Sequence, residues 1–122
     1  MMTNAAITVY NKTITKEGNI WTRTPVWGVN WQENRKVAVG DNGFVTADET
    51  TVFIPFEASP DLIVRKGDII VRNVVSFEID EMKRESNIKA LRHKYTDALT
   101  VISVKKRDFG SLDMQHWEVI LQ

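Results

Sequence analysis

The clearest pattern along the chain is a period of two. Ala5, Ile7 and Val9 alternate with Ala6, Thr8 and Tyr10, and Trp117, Val119 and Leu121 alternate with His116, Glu118 and Ile120. Alternation of this kind places apolar side chains on one face of an extended segment, so both stretches are predicted to be strands. Trp27, Val29 and Trp31 repeat the pattern beyond Pro25, a residue that cannot donate to a ladder and so marks an edge or a bulge. Thr51-Val52-Phe53-Ile54 is a strand stopped by Pro55, and Ile69-Ile70-Val71, led in by Gly67-Asp68, is a short buried one. Residues 74–79 continue the extended pattern after Asn73, which tolerates the left-handed backbone of a turn or bulge. Residues 99–104 form a further strand before the basic turn 105–110.

One stretch departs from this period. Ile88, Leu91 and Tyr95 recur at three- and four-residue spacing, with Asn87, Lys89, Arg92 and Lys94 around them and Ser86 placed to cap, which predicts a short helix over residues 86–95. Residues 32–50 show no sustained period, carry the turn signal Gly40-Asp41-Asn42-Gly43, and are expected to be one long loop in which only Val37-Ala38-Val39 could pair. These elements predict a mainly β fold. It is a small antiparallel β-barrel or sandwich of about six to seven strands with one short α-helix, spanning residues 1–122 as a single domain.

Length and composition support that picture. With 122 residues the chain can bury a core without staples, and with no cysteine it has no disulfide, thiol nucleophile or cysteine-ligated metal. Residues 1–10 lack a charged start followed by an apolar run, and no later stretch has the apolar length of a membrane span, so the chain is expected to be cytosolic where it is made. Trp21, Trp27, Trp31 and Trp117 are read as core, because exposed platforms are the rarer use of tryptophan in so small a domain.

Charge adds an asymmetry. The chain is neutral overall, yet residues 1–82 carry eight basic against eleven acidic residues and residues 83–122 carry eight against five. Lys89, Arg92, Lys94, Lys105, Lys106 and Arg107 are therefore candidate partner-docking residues. His93 and His116 have no nucleophile or orienting group tied to them. Asp48-Glu49 and Asp80-Glu81 are adjacent pairs that point to opposite faces of an extended chain, and the glycines near Gly40 and Gly43 lack the residues of a phosphate loop. No enzyme, cofactor or metal site is expected.

The order Ile7-Thr8-Val9-Tyr10-Asn11-Lys12, Trp21, Trp31, Gly40-Asp41-Asn42-Gly43, Ile54-Pro55, Gly67-Asp68-Ile69-Ile70-Val71, Tyr95-Thr96-Asp97, residues 101–104 and His116-Trp117 resembles small structural proteins of tailed bacteriophages and prophages of Gram-positive bacteria. The layout is similar to head-tail connectors of the stopper or head-completion type. That resemblance implies a small β-barrel assembling as a homo-oligomeric ring beneath the portal, touching portal or adaptor and tail proteins, with a long loop reaching into the channel that viral DNA crosses. It implies location in the virion at the head-tail junction, and in the host cytoplasm during assembly, with no membrane. On this reading residues 32–50 are the lumen loop, represented by Asp41, Asn42, Gly43, Asp48 and Glu49. Two other readings stand beside it: a different phage barrel component such as a tail terminator or minor capsid protein, and a single-stranded nucleic-acid binder of the OB type stacking bases on Trp27 and Trp31. The zero net charge weighs against the last.

Overall fold

The computed structural model describes residues 3–40, 43–111 and 114–122, with 34–40 and 43–48 described by their backbone alone. Six strands close into an antiparallel barrel: β1 (Ala5–Thr15), β2 (Gly18–Gly40), β3 (Gly43–Pro55), β4 (Ile69–Arg72), β5 (Ala98–Arg107) and β6 (His116–Leu121). The order around the wall is β1-β2-β3-β6-β5-β4. The helix α1 (Ile88–Lys94) is shorter than expected. Its cap is Asn87 and not Ser86, since the Asn87 side chain accepts the Ala90 N–H at 2.9 Å.

The barrel closes because β2 is long enough to serve two partners. Its first part pairs with β1, from Gly18 opposite Thr15 to Val29 opposite Ala5. Pairing with β3 begins only at Asn30 opposite Phe53. This offset is the stagger that tilts strands and closes a small barrel. It also accommodates Pro25, which lies opposite Thr8 where β2 has a single strand neighbour.

Inward-facing side chains fill the barrel: Ile7, Val9, Val26, Val29, Trp31, Val52, Ile54, Ile70, Val101, Val119 and Leu121, with Leu62 and Val64 from the connection before β4 packed among them. A second apolar layer lies outside the wall. Tyr10, Trp21, Ile69, Val71 and Ala98 face outward and are covered by Ile79 and Leu91, with Val75, Phe77, Ile88 and Tyr95 alongside. β1 and β4 are therefore buried on both faces, as β1's run of four buried residues, Ile7 to Tyr10, records.

Three expectations are corrected by this architecture. Residues 74–79 are extended but join no ladder: Asn73 takes a positive φ of 81° at the end of β4, and Val75, Phe77 and Ile79 then lie across the outer wall. Their period of two reports which side is covered, not whether a neighbouring strand is present. Residues 32–40 and 43–50 are not loop; they belong to the paired strands β2 and β3, with Val37, Ala38 and Val39 opposite Thr46, Val45 and Phe44. Trp27 is not core, being 63% exposed, whereas Trp31 is 4% exposed. Gly28, at φ 78°, sits where the register with β1 slips between Ala5 and Ala6, so a bulge places two residues four apart on opposite faces.

Side-chain hydrogen bonds fasten the cover to the barrel. Thr8 Oγ1 donates to the Asn73 carbonyl at 2.8 Å and accepts the Val75 N–H at 2.9 Å. The Tyr10 hydroxyl donates to the Phe77 carbonyl at 2.7 Å. At the other end of β1, the buried Asp68 carboxylate accepts from the backbone N–H groups of Lys12 (3.0 Å) and Arg65 (2.8 Å) and from Asn11 Nδ2 (2.9 Å). A buried carboxylate satisfied by three donors holds the 65–68 turn in place.

Candidate functional site

The feature that stands apart from the barrel is the far end of the β2–β3 hairpin. Pairing of β3 with β6 begins at Thr50 opposite Leu121, and β1 accompanies β2 only up to Val29. From Asn34 opposite Glu49 to Gly40 opposite Gly43, seven residue pairs run on with no third strand among the described residues. At about 3.3 Å per residue this is an arm of roughly 23 Å. Its base is fixed: the Asn4 side chain accepts the Trp31 N–H at 2.8 Å and donates to the Trp31 carbonyl at 3.1 Å. The Trp31 indole donates to Glu33 at 3.1 Å, and the Arg72 guanidinium stands 5.7 Å from the Trp31 ring centre.

The expected lumen residues fall on this arm. Gly43 opens β3 opposite Gly40, the backbone of Asp48 lies opposite that of Arg35, and Glu49 lies opposite Asn34. Asp41 and Asn42 lie outside the described residues.

The structure divides the candidate docking residues into two groups. Lys89, Arg92 and Lys94 lie on α1, beside the start of β5, where Arg92 donates to the Thr100 hydroxyl at 2.6 Å and Lys94 Nζ stands 5.6 Å from the Tyr95 ring centre. Lys105, Lys106 and Arg107 lie at the end of β5, opposite Glu118, Trp117 and His116. Five residues of strand from Thr100 to Lys105 separate the groups by roughly 17 Å. They are two surfaces and not one patch. Arg107 Nε meets the Glu118 carboxylate at 3.4 Å, a long contact in a half-buried pair.

Two clefts in the surface bring together residues that the sequence pattern did not connect with one another. One, of about 470 Å³, lies between the β1–β2 turn and residues 78–82, with Trp21 and Ile79 on its apolar side and Glu17, Glu78, Asp80 and Glu81 around it. Glu78 is engaged by Arg23 at 2.8 Å, and this hydrogen bond holds the guanidinium pKa above its ordinary value. The other, of about 520 Å³, is lined by Phe56, Pro60, Asp61, Leu62, Ile63, Lys106 and Trp117. Phe56 and Trp117 hold their ring centres 5.8 Å apart, with Lys106 Nζ 5.8 Å and 5.6 Å from them. Its sequence signal was available: Lys106 falls opposite Trp117 only once β5 and β6 are paired, and that register depends on their connection.

Burial also pushes the Tyr10 hydroxyl up to about 12, against the opposing effect of Arg23. Tyr10 is fully enclosed in the outer apolar layer and donates to a backbone carbonyl, so this shift is a packing effect at a structural residue. Among the described residues no group of three or more histidine or carboxylate side chains is placed to hold a metal ion. Among them, too, no helix is long and apolar enough to cross a membrane.

A family model matches residues 2–120, that is, the barrel, its arm and the outer cover together. The chain belongs to the Family of unknown function (DUF6751). No curated protein and no solved structure matches the chain. For this DUF6751 protein, the arm and the flanking charged and aromatic surfaces are the features from which a function has to be argued.

Proposed function

We propose that this DUF6751 protein is a structural subunit of a tailed-bacteriophage virion, a head-tail connector of the stopper or head-completion type. It would act as a homo-oligomeric ring between portal or adaptor and tail proteins. The observation that carries this reading is the arm. A closed barrel has no free strand edge, yet here two strands leave the wall and continue for seven pairs without a third strand among the described residues. An isolated two-stranded ribbon is marginal in water, so an arm of this length makes physical sense where an assembly surrounds it.

In the connectors that the sequence resembles, a long segment projects into the channel. Residues 34–40 paired with 43–49 would supply the projection here as a hairpin. The acidic residues Asp41, Asp48 and Glu49 against Arg35 and Lys36 keep it from being a basic surface, which suits a passage that DNA crosses without adhering. The two basic groups, on α1 and at the end of β5, then offer separate contacts to neighbours above, below or beside the subunit.

The nucleic-acid-binding alternative required Trp27 and Trp31 side by side. The bulge at Gly28 puts Trp31 inside the barrel and removes that platform. The test of the connector reading is to mix the protein with the portal protein of its own phage and image the product by electron microscopy. An added ring on the portal is the expected result, and portals that never acquire a layer would refute it.

A further inference from the structure

The 520 Å³ cleft combines an aromatic wall with an ammonium group at its edge. The Lys106 ammonium lies over the Phe56 and Trp117 rings; Asp61 lines the same cleft, yet among the described residues no carboxylate forms an ion pair with Lys106. Ile63, 53% exposed, forms part of the same lining. A cleft of this make-up fits an aromatic side chain that carries an acidic group beside it: the ring packs on Phe56, Trp117 and Ile63, and the carboxylate meets Lys106.

That chemistry is present in this chain. Directly after β5, Asp108 and Phe109 stand in the turn to β6, both exposed, Phe109 to 70%. The described residues of the turn on either side of 112–113 are tied to one another. The Met114 N–H donates to the Ser111 carbonyl at 2.9 Å, Gln115 Nε2 donates to the Gly110 carbonyl at 3.2 Å, and Gly110 takes φ 85° with Met114 packed beside it. Met114 adds a second exposed apolar side chain to the turn. A large apolar residue presented on a turn tied in this way is a common anchor of interfaces.

Turn and cleft lie at the same end of the barrel, because Lys106 and Trp117 are paired one step before Arg107 and His116, the last pair before the turn. A surface holding both halves of a complementary pair suits an isologous contact, in which each copy gives and receives the same group. We propose that two copies of this chain associate end to end, Phe109 of each entering the Phe56–Trp117–Lys106 cleft of the other, with Asp108 facing Lys106 across the two-fold axis. The charge match selects a second copy, and the small area makes the contact weak and dependent on concentration. The proposal stands apart from the connector reading, since either could fail with the other intact.

Sedimentation equilibrium of the full chain over a wide concentration range tests it. The wild type is expected to dimerise, and Phe109→Ser, a change at an exposed turn that leaves the thermal midpoint unmoved, to weaken dimerisation by roughly 30-fold or more. Lys106→Glu and Asp108→Lys should each weaken it, because each sets like charges opposite one another. Mixing these two variants should restore a mixed dimer, since each altered charge then faces an opposite one on its neighbour. A wild type that stays monomeric throughout, a dimer indifferent to Phe109→Ser, or variants that fail to rescue each other on mixing would each overturn the proposal. A cleft that instead captured only portal or tail protein, with the free chain monomeric, would do the same.

Discussion

Trp27 and Trp31 are four residues apart in β2, and their different fates come from the glycine between them. Gly28 adopts a conformation that side-chain-bearing residues adopt at a cost of about 1–2 kcal/mol, and the bulge it forms turns Trp27 to solvent. Trp31→Ala is expected to cost about 3–5 kcal/mol, because it opens a cavity in the barrel and removes the indole that Glu33 and Arg72 contact. Trp27→Ala should change stability by no more than about 0.5 kcal/mol. Urea unfolding of both variants checks the contrast. Tyr10 makes a second residue-scale prediction. Its pKa is raised from 10.0 to about 12 in the folded chain, so the unfolded chain loses the phenol proton first as pH rises. Stability should be unaffected by this group below pH 10 and should fall between pH 10 and 12, and Tyr10→Phe should flatten the fall in that window. Denaturant midpoints measured across that range give the answer.

At the scale of elements, alternation told which residues share a face, and it located β1, β6 and the cores of β3, β4 and β5. It could not tell what covers each face. Thr8 and Tyr10 look like the wet side of a half-buried strand until residues 73–97 fold over them. Residues 75, 77 and 79 alternate like a strand and are buried like one without joining a ladder. The arm was illegible for a related reason: the sequence of residues 34–40 and 43–49 carries no sustained period of two, and only the pairing from Asn34 opposite Glu49 to Gly40 opposite Gly43 identifies it as a hairpin. Of the candidate site, the positions of the charged residues could be read, but whether they meet depends on strand register, which splits them into two groups. The arm should contribute little to the stability of the barrel, since it begins where β1 and β6 cease to flank it. A chain lacking residues 36–47, with Arg35 and Asp48 joined through a two-residue Asn-Gly turn, should keep its thermal midpoint within a few degrees. Calorimetry on the shortened chain checks this, and a large fall in midpoint would show that the arm belongs to the folding unit.

For the whole molecule, closure of the barrel and the doubly buried β1 and β4 leave a rigid body whose described features for contact are all peripheral: the arm at one end, α1 on one side, and the aromatic cleft with its turn at the other end. On the proposed connector reading, such a protein would work by where it sits among neighbours, with its charge asymmetry orienting it there. The arm-shortened chain should therefore fold normally and still fail in the particle, giving heads that attach tails poorly or lose packaged DNA. The most direct test of the account is to locate the protein in intact virions of its phage by gold-labelled antibody or by cryo-electron microscopy. The account predicts a single ring of this protein at the head-tail junction, beneath the portal. Its absence from purified virions, or its presence only elsewhere in the particle, would contradict it.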